Sequence, residues 1–170
     1  MKMKLVSAVV ASMVLASASM ADANTYISVG YGNVSIDGTS TGSVTADLGF
    51  ELGEKWKNRV GMQFAFSGEN KDWNNGQGNL MDIYYALGYE VIQDVVVSAK
   101  VGYGIQDLGS TGSGSNSSSA LAGGFAYGAL AKYEINEYFD ISTSYTHMNL
   151  NYLTLDYGAD IVDVSLAVKF

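Results

Sequence analysis

The chain has 170 residues, with 17 Asp and Glu against 9 Lys and Arg, a formal charge of −8, no Cys, no Pro, 20 Gly and 12 Tyr. The acidic balance argues against nucleic acid as a partner, since phosphates are held by clustered Lys and Arg, and the lack of Cys excludes a disulfide framework. Abundant Gly and Tyr without Pro suit uninterrupted strands with aromatic ends and glycine turns.

The N-terminus reads as a secretory signal peptide over residues 1–21: a basic MKMK, an apolar stretch, then small residues at Ser19 and Ala21. The stretch is short for a membrane-spanning helix and is diluted by Ser7, Ser12, Ser17 and Ser19. Cleavage after Ala21 removes Lys2 and Lys4, leaving 7 basic against 17 acidic residues and a mature charge of −10. Residues 22–170 are expected to form one domain. They hold no apolar run long enough for a transmembrane helix.

Eight segments with a two-residue period follow. Ile27, Val29 and Tyr31 alternate with Ser28, Gly30 and Gly32, and Val44, Ala46, Leu48, Phe50 and Leu52 with Ser43, Thr45, Asp47, Gly49 and Glu51. Val60, Met62, Phe64 and Phe66 oppose Gly61, Gln63 and Ala65, and Met81, Ile83, Tyr85, Leu87 and Tyr89 oppose Asp82, Tyr84, Ala86, Gly88 and Glu90. Val95 to Ile105 and Leu121 to Tyr133 give the fifth and sixth segments, with Lys100 and Lys132 on their polar faces. Phe139, Ile141, Thr143 and Tyr145 oppose Asp140, Ser142, Ser144 and Thr146, and Val162, Val164, Leu166, Val168 and Phe170 oppose Asp163, Ser165, Ala167 and Lys169. The apolar face carries no charge, whereas the other is largely Gly, Ser, Thr, Ala and charged groups, too small for the solvent face of a sandwich. Small inward and apolar outward residues suit a narrow closed barrel in lipid.

The connections GEKWKN, VIQD and INEY are short, whereas NVSIDGTSTG, GENKDWNNGQGN, QDLGSTGSGSNSSSA and HMNLNYLTLDYGAD read as long polar loops. Phe50, Tyr89, Tyr133, Phe139 and Phe170 fall at one set of segment ends and Tyr31, Phe66, Tyr103 and Tyr145 at the other, forming two expected aromatic girdles. The fold class expected is therefore all-β: an eight-stranded antiparallel up-and-down transmembrane β-barrel.

Signal peptide, eight alternating segments and a terminal Phe170 behind Val162, Val164, Leu166 and Val168 resemble small Gram-negative outer-membrane barrels of the opacity and OmpA/OmpX-like type. The resemblance implies that this last strand is an assembly signal read by the barrel assembly machinery, and that lipids and lipopolysaccharide surround the barrel. It also implies an outer-membrane location with both termini periplasmic. Unlike two-domain OmpA, the sequence is expected to carry no periplasmic peptidoglycan-binding domain.

Asp47, Glu51, Arg59, Asp82, Glu90, Lys100, Lys132, Glu134, Asp140, Asp163 and Lys169 have inward parity. Unpaired charges there would be costly, so interlocking ion pairs are expected to plug the lumen, with Glu51 and Arg59 nearest across a short connection. A narrow solute or ion conduit is the alternative. An enzyme reading centres on His147. The eight-stranded lipid A deacylases place a Ser two residues after their His, where this chain has Asn149. Likewise, the palmitoyl-transferring barrel is gated through proline, and there is none. Glu69, Asp72, Asn74 and Asn75 lack the spacing of a calcium loop, so neither cofactor nor metal is expected. The function expected is structural or surface-interacting, with Trp73, Tyr152 and Tyr157 as loop contacts to host or bacterial surface ligands.

Overall fold

The computed structural model describes residues 24–53, 56–67, 79–111 and 118–170. The expected signal peptide and Trp73 lie outside the described residues. Eight strands run β1 (Asn24–Ile36), β2 (Thr39–Leu52), β3 (Trp56–Ser67), β4 (Asn79–Ile92), β5 (Val95–Thr111), β6 (Ser118–Glu134), β7 (Phe139–Tyr152) and β8 (Leu155–Lys169). Each pairs antiparallel with its sequence neighbours, and β1 pairs with β8, from Tyr26↔Lys169 to Ile36↔Ala159, to close the barrel. The seam leaves no free edge along those residues, which answers the hazard posed by an apolar terminal strand.

The expected parity runs through all eight strands. Ser43, Thr45, Asp47 and Glu51 are buried while Val44 and Leu52 are exposed, and on β8 Asp163 and Ser165 are buried while Val162, Val164 and Leu166 are exposed. Glycine lets the narrow interior accept its largest rings. A Cβ at Gly61 would stand 2.5 Å from the Tyr26 hydroxyl, which therefore occupies the space a side chain would take.

The strands run further into the expected connections than the sequence suggests: β3 starts at Trp56, β5 reaches Thr111 and β6 starts at Ser118, and two of the expected loops are strand over nearly their whole length. NVSIDGTSTG is no loop: β1 continues to Ile36, Asp37 and Gly38 turn the chain with φ of 49° and 81°, and β2 begins at Thr39. Positive φ at both turn residues matches the twist of a hairpin, and Asp-Gly favours it. HMNLNYLTLDYGAD is likewise strand, broken only by Leu153 and Thr154, so Tyr152 ends β7 and Tyr157 lies within β8. The physical reason is a change of phase. Beyond Tyr31 and Tyr145 the alternation continues with its chemistry inverted: Val34, Ile36, Met148, Leu150 and Ile161 are buried inside, while Asn33, Asn149 and Asn151 are exposed outside.

The strands are 12 to 17 residues long, whereas about 9–11 tilted residues cross a bilayer. The surplus lies at the end opposite the termini and has the apolar-inside pattern of a water-soluble barrel.

Candidate functional site: the lumen and the outer rim

Three tiers fill the interior. Nearest the termini, Glu51 accepts from Arg59 Nε at 3.0 Å and from Lys132 Nζ at 2.6 Å. Arg59 Nη2 donates to Asp140 at 3.2 Å, and Lys132 to Glu134 at 2.6 Å. Lys169 stands 3.8 Å from Glu134, and Lys57 within 4.0 Å of both Glu51 and Glu134. The Arg59 guanidinium covers the Tyr26 ring at 4.3 Å. Lys57 was not foreseen because β3 starts at Trp56, three residues before the segment discernible in sequence. Glu90 stands apart from this network, its Oε1 accepting from the Asp94 backbone N–H at 3.1 Å in the β4–β5 turn.

In the middle tier Lys100 Nζ lies 2.8 Å from Asp82 and donates to Gln63 Oε1 at 2.7 Å and Thr146 Oγ1 at 2.9 Å, above the Tyr84 ring. Asp47 and Asp163 have no Lys or Arg at ion-pair distance among the described residues; neutral donors hold them. Tyr84 Oη donates to Asp47 at 2.6 Å, with Tyr26 Oη a further donor, and Asp163 accepts from Thr45 Oγ1 at 3.0 Å, from Gln63 and from Ser144. These hydroxyl and amide donors offset desolvation that pairing does not.

The third tier is apolar. Val34, Ile36, Ala65, Leu80, Ala122, Ala126, Met148, Leu150, Ala159 and Ile161 form one apolar cluster across the lumen, with Leu108, Tyr152 and Tyr157 packed against it. Tyr157 Oη donates to Gln106 Oε1 at 2.8 Å. Tyr152 and Tyr157, expected as loop contacts, thus lie on β7 and β8 and pack against the apolar cluster inside the barrel. Sequence reasoning missed the tier because it took apolar residues as outward throughout.

On the outer wall Phe50, Tyr89, Tyr133, Phe139 and Phe170 ring the end that carries the termini, with Trp56 beside Tyr89 at 5.1 Å between ring centroids. Tyr31, Phe66, Tyr103 and Tyr145 ring the other end, joined by Phe125 and Tyr127. Just beyond, Asp160 accepts from Tyr145 Oη and from His147 Nδ1, each at 2.8 Å. A carboxylate can only accept, so Nδ1 carries the hydrogen. His147 Nε2 is 3.3 Å from Asn149 Oδ1, and the imidazole stands over Gly158 and tilts against Tyr127. A carboxamide thus occupies the place where a base-activated nucleophile would stand.

An apolar wall between two aromatic girdles, closed around a polar and apolar interior, defines a transmembrane β-barrel. Residues 5–170 match the model of the outer membrane protein beta-barrel domain, and the chain belongs to that family. Among solved structures it is similar to Ail, the attachment invasion locus protein of Yersinia pestis, with 18% identity and a TM-score of 0.63 over 88% of this chain and 99% of that one. It is also similar to Neisserial surface protein A, at 11% identity and a TM-score of 0.62 over 88% and 98% of the two chains. The N-terminal barrel of Pseudomonas aeruginosa OprF aligns at 12% identity and a TM-score of 0.59 over 86% and 97%. No curated protein sequence matches this chain.

Proposed function

We propose that this protein is a sealed outer-membrane barrel that acts at the cell surface through its extracellular hairpins, with its termini and short turns in the periplasm and Val162–Phe170 as its assembly signal. The observation that carries the reading is the transverse apolar cluster around Met148 and Leu150, stacked on the charged tiers. A hydrated path would have to cross both, and eight strands leave room for side chains but little water. With transport blocked, free chemistry remains in the hairpins, and loops on a rigid scaffold are where recognition concentrates.

An Ail structure contains the heparin analogue sucrose octasulfate. A polyanion of that kind suits this chain poorly, because every Lys and Arg among the described residues belongs to the interior. The surface ligand should instead be neutral or reach the acidic hairpins through divalent cations. Residue 149 being Asn rather than a hydroxyl nucleophile supports a non-enzymatic role.

Two measurements test this. Purified protein in planar bilayers should give no steady conductance, and reproducible channel openings would favour the conduit. Replacing the segment that contains Trp73 with a two-residue turn should leave a heat-modifiable barrel in the membrane while surface attachment is lost; unchanged attachment would remove the interaction reading.

A further inference from the structure

We infer that the rim on β6, β7 and β8 built from Tyr127, Tyr145, His147, Asn149 and Asp160 binds the sugar head group of a membrane glycolipid through its hydroxyls, not through phosphate. The inference rests on the sealed, lipid-embedded barrel proposed above and adds a ligand to its wall.

Height supports it first. Tyr145 and Val162 are the last outward girdle and apolar residues on β7 and β8, and His147 and Asp160, directly paired in register, come next. A head group attached to a lipid packed on the wall lies at that level. Charge complementarity supports it second. Lys57, Arg59, Lys100, Lys132 and Lys169 are turned into the interior, so among the described residues the outer wall offers no Lys or Arg, and the one imidazole there, His147, is already committed to Asp160. Lipid phosphates are ordinarily met by Lys and Arg, and here they would meet a carboxylate.

The groups present fit sugars. The Asp160 carboxylate accepts two hydrogen bonds and retains lone pairs for hydroxyl donors. Asn149 is exposed and both donates and accepts, and the half-exposed Tyr127 and Tyr145 rings offer faces to the C–H side of a pyranose. Absence of a side chain at Gly158 gives the imidazole its place, where an added Cβ would meet Cε1 at 3.3 Å.

The test compares lipids retained by the full folded protein in native mass spectrometry, with dephosphorylated lipid A, diphosphorylated lipid A and phosphatidylglycerol supplied at equal mole fraction, with and without EDTA. Both forms of lipid A should be retained about 2–10-fold over phosphatidylglycerol, the worth of one or two hydrogen bonds, whether or not EDTA is present. Asp160→Ala and Asn149→Ala should each reduce that preference. Asn149 is exposed, so its variant isolates binding from folding. Preference for the diphosphorylated form alone, abolished by EDTA, would overturn the inference in favour of cation-bridged phosphate. Equal retention of all three lipids by a heat-modifiable barrel would overturn it while leaving the proposed function standing. A wild-type protein that fails to form such a barrel would instead sink the reading beneath it.

Discussion

At Lys100 the cost of substitution is set by what is left behind. Its ammonium is, among the described residues, the one opposite charge at ion-pair distance from Asp82, which is fully buried, and it also satisfies Gln63 and Thr146. Lys100→Met should destabilise by about 3–5 kcal/mol, because the stranded carboxylate costs more than the pair contributes. One residue on, Val101 is exposed on the lipid face, and Val101→Lys should cost about 2–4 kcal/mol near the bilayer midplane. Urea unfolding from bilayers measures both, and two silent substitutions would refute the assigned parity. At this scale the Arg59–Glu51 contact was legible because a short connection makes the two cross-strand neighbours, Glu51↔Arg59 in the register. The hydroxyl cage around Asp47 was not. Tyr26 reaches it from the neighbouring β1 and Tyr84 from β4, two strands away, and period-two reading gives a residue's face but not its height.

The β7–β8 hairpin makes the corresponding point for elements. Its outer half alternates as strictly as its inner half, but apolar residues turn inward once the wall leaves lipid, so a rule that sends apolar groups outward reads strand as loop. Asp37-Gly38 was a discernible hairpin signal in the sequence, obscured by the polar residues around it. The tip at Leu153 has no such favourable chemistry: a φ of 55° on a branched side chain that is 88% exposed. Leu153→Asn should stabilise the hairpin by about 1 kcal/mol, since Asn tolerates positive φ and Leu gains no burial in exchange. A higher urea midpoint with unchanged slope is the expected result. A lower midpoint would mean that Leu153 makes stabilising contacts in the membrane-bound protein.

For the whole molecule, closure gives the C-terminal strand its importance. Phe170 donates its backbone N–H to Thr25 at 2.8 Å while its ring lies 72% exposed on the outer wall. Deleting Phe170 should therefore break one backbone bond and replacing it with Asp none, most of the seam staying intact in either case. The proposed assembly signal predicts a far larger loss, with protein accumulating in the periplasm or degraded. Counting heat-modifiable barrel in outer-membrane fractions decides between them, and wild-type levels would remove the signal assignment.

The β1–β8 seam also has a consequence in time. Seven of the eight strand pairings join neighbours in sequence and can form as local hairpins, whereas the eighth joins Tyr26 to Lys169 across nearly the whole chain. Loop-closure entropy places such a contact last and makes it slow. Until it forms, the molecule is an open curved sheet with β1 and β8 as bare edges and Lys100, Lys132 and Arg59 facing an unfinished cavity. The slowest step of folding is thus also the one that removes both edges, so the chain is most exposed to misassociation just before it is finished.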